Sequence, residues 1–201
     1  YFLSLGELKQ NGQFEGSTIK YNQYNIRSNI DVKVAHGLTA SLDVAGQYDS
    51  RHSPYYSAYE LISHIFLYAP QWQLYWPGTE CLQPLRGDQN IVNMVNDNAG
   101  WHEIKNNKFE GNLSLKWEVP WVKGLALTAR GSYDARFQYW KTFQTPSYVY
   151  SKNEATGEYI KRLDGMGPAK ASLQDRSDMP SSIYLLLKAD YSHSFGDHNL
   201  D

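Results

Sequence analysis

The residues that could do chemistry are spaced so that catalysis gets little support. The 6 histidines (His36, His52, His64, His102, His193 and His198) are scattered. No two share the i, i+4 helical spacing that a zinc enzyme uses. No Gly-x-Ser-x-Gly elbow occurs. Gly165-Met166-Gly167-Pro168 lacks the strand-before, helix-after setting of a phosphate loop, and Pro168 removes a donor. The one cysteine, Cys81, sits between Glu80 and Leu82 and reads as an incidental free thiol. Alone, it excludes an internal disulfide and a multi-cysteine metal site. Acidic residues are numerous enough to pair as a glycosidase dyad would, but their alternating positions favour the lining of a polar surface. The chain is therefore read as no enzyme, with no cofactor and no metal. Binding chemistry remains. Trp72, Tyr75 and Trp76 could stack on sugar faces, as flat apolar rings with polar handles do; rim packing or partner contact is the competing role. Arg130, Asp134 and Arg136 are candidates for substrate contact, against mutual ion pairing.

These residues must be held by strands. The 201 residues carry a net charge of -2 and include 16 Tyr, 7 Phe and 6 Trp. A mean hydropathy of -0.59 argues against membrane helices, which need about 20 apolar residues per span. The most apolar stretch, Leu61 to Pro70, is too short and carries His64. No basic tract marks a nucleic-acid partner. Apolar and polar residues alternate with period 2 through Leu125 to Trp140, Leu38 to Ser50, Phe109 to Val119, Tyr24 to Val34 and Ile183 to Phe195, and more weakly through Tyr1 to Lys9. That makes about six strands, longer than the usual mode of about 5–6 residues. Because Tyr1 to Leu5 already reads as strand, the chain is expected to start mid-protein.

Alternation alone fits a soluble sandwich or a membrane barrel, since either buries one face. Connection lengths separate them. His36-Gly37, Pro120 to Gly124 and Gly196-Asp197 are short, whereas Gln10 to Ile19, Arg51 to Asn106 and Thr142 to Met179 are long. Short and long links alternate as the periplasmic turns and extracellular loops of outer-membrane barrels do. Trp117 and Trp121 at one end, with Tyr48, Phe137 and Tyr139 toward the other, fit an interfacial belt. The polar positions Arg27, Asp31, Asp43, Asp49, Arg130, Asp134 and Arg136 would then line the lumen. A short helix is predicted in the longest loop, started by Ser53-Pro54, capped by Ser57 with Glu60, and stopped by Pro70. Asn112-Leu113-Ser114 matches a glycosylation acceptor but falls mid-strand.

Tyr24-Asn25-Ile26-Arg27-Ser28-Asn29-Ile30-Asp31, Leu38-Thr39-Ala40, Tyr48-Asp49-Ser50-Arg51 and Ser53-Pro54 occur in an order that resembles the SusC/RagA-type TonB-dependent outer-membrane transporters. Phe109-Glu110-Gly111-Asn112-Leu113-Ser114-Leu115-Lys116-Trp117, the Pro-Trp-Val-Lys-Gly-Leu turn and Gly131-Ser132-Tyr133-Asp134 are similar too. The resemblance spans nearly the whole chain and is weakest in the two long loops. It implies an all-β fold: an antiparallel transmembrane β-barrel segment, about six strands of a barrel of about 22. Residues 1–201 would be part of the barrel domain, without the plug and TonB-engaging segment. The implied function is import of a bulky nutrient, oligosaccharide or peptide, across the bacterial outer membrane with TonB-supplied energy. The implied partners are a SusD-like surface lipoprotein, the TonB complex and outer-membrane lipid. A soluble all-β carbohydrate-binding module is the competing class. It would shield the apolar face with a second sheet.

Overall fold

The computed structural model describes residues 1–165 and 167–194, and the backbone of 195 and 198–200. Five long strands, β1 (Phe2–Asn11), β2 (Lys20–Ala35), β3 (Leu38–Pro54), β4 (Gly100–Glu118) and β5 (Leu125–Gln144), pair antiparallel in chain order. A separate hairpin follows, β6 (Tyr148–Lys152) with β7 (Tyr159–Leu163). The chain then returns to β5 as β8 (Ser172–Asp178) and β9 (Ser181–Tyr191). These two pieces keep one register on β5, and Pro180 between them still accepts from the Arg136 N–H at 3.0 Å. They act as a single sixth strand, broken where Pro180 has no amide to donate. A last hairpin joins β10 (His193–Phe195) to β11 (His198–Leu200); the expected Gly196-Asp197 turn lies outside the described residues. The protein is thus an all-β chain built on one long antiparallel sheet.

The strands outrun the alternating stretches. β4 begins at Gly100 and β3 continues to Pro54, so the longest connection is 55–99 rather than Arg51 to Asn106. Ser53-Pro54 ends a strand instead of starting the helix. The Gln10 to Ile19 link shrinks to 12–19, and the expected loop from Thr142 to Met179 contains β6, β7 and β8. The tight turn before β3 needs Gly37, whose φ of 73° is left-handed.

Register places the side chains. One face carries Ile26, Leu42, Leu113, Leu127 and Leu187, bounded at one end by Trp117 and Trp121, whose rings meet edge-on at 5.3 Å. Toward the other end stand Tyr24 and Tyr48, stacked at 6.3 Å. Beyond them the same face turns polar: Lys9, Asn22, Ser50 and Lys105 share one rung, and Lys20, His52, Glu103, Lys141 and Asp175 the next. The opposite face is polar along most of its length.

Among the described residues, no second sheet covers the apolar face: Leu185 and Leu187 are 77% and 85% exposed. The buried core lies elsewhere. α1 (Ala58–Leu67) and α2 (Ile91–Val95) fold above the sheet, where Leu61 and Met94, each 1% exposed, pack with Tyr56 and Ala99 against Phe14 and Tyr55. α1 is capped as expected: the Glu60 N–H donates to Ser57 Oγ at 3.3 Å, and the Ser57 N–H to Glu60 Oε2 at 2.7 Å. No helix among the described residues is long and apolar enough to cross a membrane.

Candidate functional site

The cap leans over the upper end of the polar face. Tyr55, leaving β3, stacks at 5.2 Å on His102, whose Nε2–H donates to the Tyr55 carbonyl at 2.9 Å. His102 Nδ1 lies 2.9 Å from the Thr142 hydroxyl oxygen, so both ring nitrogens are engaged. A second tie joins the loops: Thr18 Oγ donates to Asp97 Oδ1 at 2.6 Å, and His52 Nε2 lies 2.9 Å from Asp97 Oδ2. Beneath this roof is a niche of about 290 Å³, with Arg51, Ile104, Trp140 and Thr142 as its floor and Tyr55 and Tyr56 above.

Arg51, Ile104, Trp140 and Arg176 occupy one rung of the polar face, read across β3, β4, β5 and β8. The Arg176 guanidinium lies over the Trp140 ring, 5.1 Å from its centroid. One rung down, Gln23, Asp49, Asn106, Gln138 and Asp178 line up. Asp49 is 6% exposed, and it accepts from Asn106 Nδ2 at 2.6 Å and Gln47 Nε2 at 3.0 Å. Tyr21 O–H donates to Gln23 Oε1 at 2.6 Å, and Gln23 Nε2 to Asn25 Oδ1 at 3.0 Å. Amides, a hydroxyl and a carboxylate are thus held in fixed orientation by one another, arranged for hydrogen-bonding chemistry. Among the described residues, no three histidine, cysteine or acidic side chains gather as a metal site would need.

No protein-family model matches the chain, and no curated protein matches it.

The expected site residues do not assemble into one site. Trp76 is committed to the cap, its Nε1–H donating to the Tyr150 carbonyl at 2.6 Å and its ring 5.9 Å from Tyr159. Trp72 is exposed and tilts against Tyr68 at 6.0 Å. Tyr75 is exposed too, in an open depression beside Thr79 and Leu82. Arg130, Asp134 and Arg136 do share the polar face, lower on β5, but opposite Ser114, Glu110 and Lys108 respectively.

The mutual ion pairing weighed for Arg130, Asp134 and Arg136 is absent among the described residues, and Arg27, Asp31, Asp43 and Asp49 form no ion pair with them. Register explains it: Asp134 faces Glu110 and Arg136 faces Lys108, so like charges lie directly opposite and the rungs alternate in sign. The ion pairs present are mostly between neighbours on one strand face, such as Lys116–Glu118 at 3.4 Å and Lys188–Asp190 at 2.7 Å. Sequence reasoning missed Tyr21, Gln23, Gln47, Arg51, Asn106, Trp140 and Arg176 as a group. Their only signal was parity. Each is on the polar side of its strand, and only the register shows that they meet.

The cap holds its own polar centre. Asn93, 2% exposed, donates through Nδ2 to the Tyr148 carbonyl at 3.0 Å and to Asp164 Oδ2 at 2.9 Å, tying α2 to the β6–β7 hairpin. Burial, reinforced by the Asp164 charge, pushes the Tyr56 and Tyr68 hydroxyls up to about 12.

Proposed function

We propose that the chain is a slice of an outer-membrane β-barrel of the SusC/RagA type, about six strands of roughly 22, importing an oligosaccharide or peptide with energy from TonB. The observation that carries this reading is the uncovered apolar face. Leucines this exposed on so long a sheet need a partner, and none of the described residues covers them. The dimensions suit lipid. From Leu38 to Tyr48 the apolar face of β3 extends about 33 Å at roughly 3.3 Å per residue. At a tilt of about 40° that is a band about 25 Å tall, the height of an outer-membrane barrel's lipid-facing belt. The Trp117–Trp121 pair and the Tyr24–Tyr48 stack then border the belt, and the charged rungs beyond the tyrosines project into water.

On this reading the polar face lines the lumen and the cap is an extracellular roof over it. The free edges of β1 and of β8–β9 continue into further strands, as a barrel requires. A plug and TonB-engaging segment elsewhere in the protein, and a SusD-like lipoprotein over the cap, complete the importer. A soluble carbohydrate-binding module would shield the apolar face with a second sheet, and among the described residues none covers it.

Expression of residues 1–201 alone tests the proposal. With open edges and an apolar face in water, the chain is expected to aggregate without detergent. A monomeric, soluble product that unfolds cooperatively without detergent would overturn the barrel reading.

A further inference from the structure

The two faces of the sheet carry their charge differently. On the polar face cations are spread over the whole height, from Arg51 and Lys108 to Arg130 and Lys116. On the apolar face charge is confined to one end. Below the rung of Tyr24 and Tyr48, no described residue on that face of β1 to β5 or β9 is charged, down to Trp117. Above it, two rungs gather four lysines: Lys9 and Lys105 on the first, Lys20 and Lys141 on the second. They outnumber the carboxylates of the same band, Glu7, Glu103 and Asp175. Lys20 and Lys141 make no ion pair among the described residues. Lys9 and Lys105 pair with Glu7 and Glu103 at 2.6 and 2.8 Å, each two residues away on its own strand. Exposed pairs of that kind contribute little, and each ammonium keeps donors to spare.

A notch lies directly beneath the lysines. Gly46 has no side chain, and the walls Leu5, Tyr24, Ile26 and Tyr48 leave a depression of about 720 Å³ at the tyrosine end of the belt. Lys9 on β1 and Lys105 on β4 flank its upper rim, and Lys20 on β2 stands one rung higher. A charged band over an apolar notch matches a lipid, with its head above its chain. One rung is two residues, about 6.6 Å along a strand and about 5 Å in height at a tilt of about 40°. The lysines thus stand about 5 and 10 Å above the tyrosines, at the level of the headgroups, which add about 5–8 Å to each side of the hydrocarbon core.

We infer that this part of the barrel wall holds an anionic lipid of the outer leaflet, a phosphorylated glycolipid, with its phosphates on Lys9, Lys20 and Lys105 and one acyl chain in the Gly46 notch. The inference rests on the importer reading, which puts this face in the membrane and the cap outside the cell. The spread of the lysines selects the headgroup. β1 and β4 are three strand spacings apart, about 14 Å. That is more than one phosphate bridges, and it suits a sugar headgroup with a phosphate at either end. Lysine meets each phosphate as a point charge.

The test uses the complete barrel containing this segment, stripped of lipid in detergent and offered diphosphoryl lipid A, the same lipid with its phosphates removed, or phosphatidylglycerol. Native mass spectrometry counts what stays bound. Retention of diphosphoryl lipid A in preference to the other two supports the inference. Lys9→Gln combined with Lys105→Gln is expected to weaken it roughly 30-fold, about fivefold for each lysine at an anionic lipid surface. Lys108→Gln removes a charge from the same strand as Lys105, but from the polar face, and should change nothing. Ile26→Trp fills the notch without altering charge and should also loosen the lipid. Equal retention of the dephosphorylated lipid, or a loss in Lys108→Gln as large as in the lysine pair, would overturn the site. Unchanged retention in Ile26→Trp would overturn the placing of the chain in the notch, and preference for phosphatidylglycerol would overturn the glycolipid. A protein absent from the outer membrane would remove the importer reading itself, whereas a barrel in place that retains none of the three lipids would overturn this inference alone.

Discussion

The cap and the sheet are made by one chain and solve burial in opposite ways. In the cap, Leu61 and Met94 are sealed, and Asn93 and Asp164 are bonded to each other inside. In the sheet, Leu113, Leu127 and Leu187 lie open, while backbone ladders satisfy the strands internally. The difference separates what this chain stabilises by itself from what it leaves to its surroundings. Hydrophobic burial holds the cap, and hydrogen bonding alone holds the sheet until something apolar covers it. A lipid environment would act on the second region and leave the first untouched.

The sharpest way to break that division is a cavity in the cap. Leu61→Ala or Met94→Ala should cost about 2–5 kcal/mol. The loss is expected to stay local: amide exchange should rise across 55–99 and 145–165 while β3, β4 and β5 keep their protection. Loss of sheet protection in step with the cap would show one cooperative unit instead of two.

A pair of substitutions on β4 sharpens the other side. Leu113 and Ser114 are neighbours on opposite faces, and Leu113 shares its rung with Leu42, midway between the tryptophan and tyrosine borders. Leu113→Arg is expected to cost about 2–4 kcal/mol, against near zero for Ser114→Arg on the polar face. Folding of the complete barrel into lipid vesicles, followed by denaturant titration, measures both. Equal effects would mean that lipid does not cover the Leu113 face.

The same division explains what could be read from the sequence. All six long strands announce themselves wherever one face is apolar, because period 2 is visible only through that contrast. Above the tyrosine rung the contrast vanishes: Lys105 and Glu103 replace leucines on the apolar side of β4, and Lys141 does so on β5. The strands continue on backbone pairing with no pattern left to betray them. Ser57 and Glu60 made the helix legible because a capping box is a local signal. β6 and β7 were missed although Asn153 to Glu158 forms their turn, with Gly157 at a φ of 73°. The niche was illegible for another reason. Arg51, Ile104 and Trp140 come from three strands, and only register brings them to one rung.

Alkali gives a milder test of the cap. Tyr56 and Tyr68 have folded-state values raised to about 12 from an ordinary 10.0. The unfolded cap ionises first, so the stability linked to these hydroxyls is whole below pH 10 and lost as pH rises toward 12. Absorbance at the tyrosinate band should show two hydroxyls titrating late. Cap amide exchange should rise in that window and sheet exchange should not.

The smallest expected effect falls on α1 alone. Ser57 is exposed and its hydroxyl bonds only to Glu60, accepting from the N–H and donating to the carboxylate, so Ser57→Ala removes the side-chain cap without touching the core. The loss should be about 1 kcal/mol, and Ser57→Gly should recover most of it, since glycine at that position costs only a few tenths. α1 sends a single buried side chain, Leu61, into the core, so fraying its first turn exposes little apolar surface. Amide exchange should therefore quicken in the first turn of α1 while α2 and the β6–β7 hairpin, held through Asn93 and Asp164, stay as slow as before. If α2 loosens as well, the cap's cohesion comes from the helix and not from its buried polar centre.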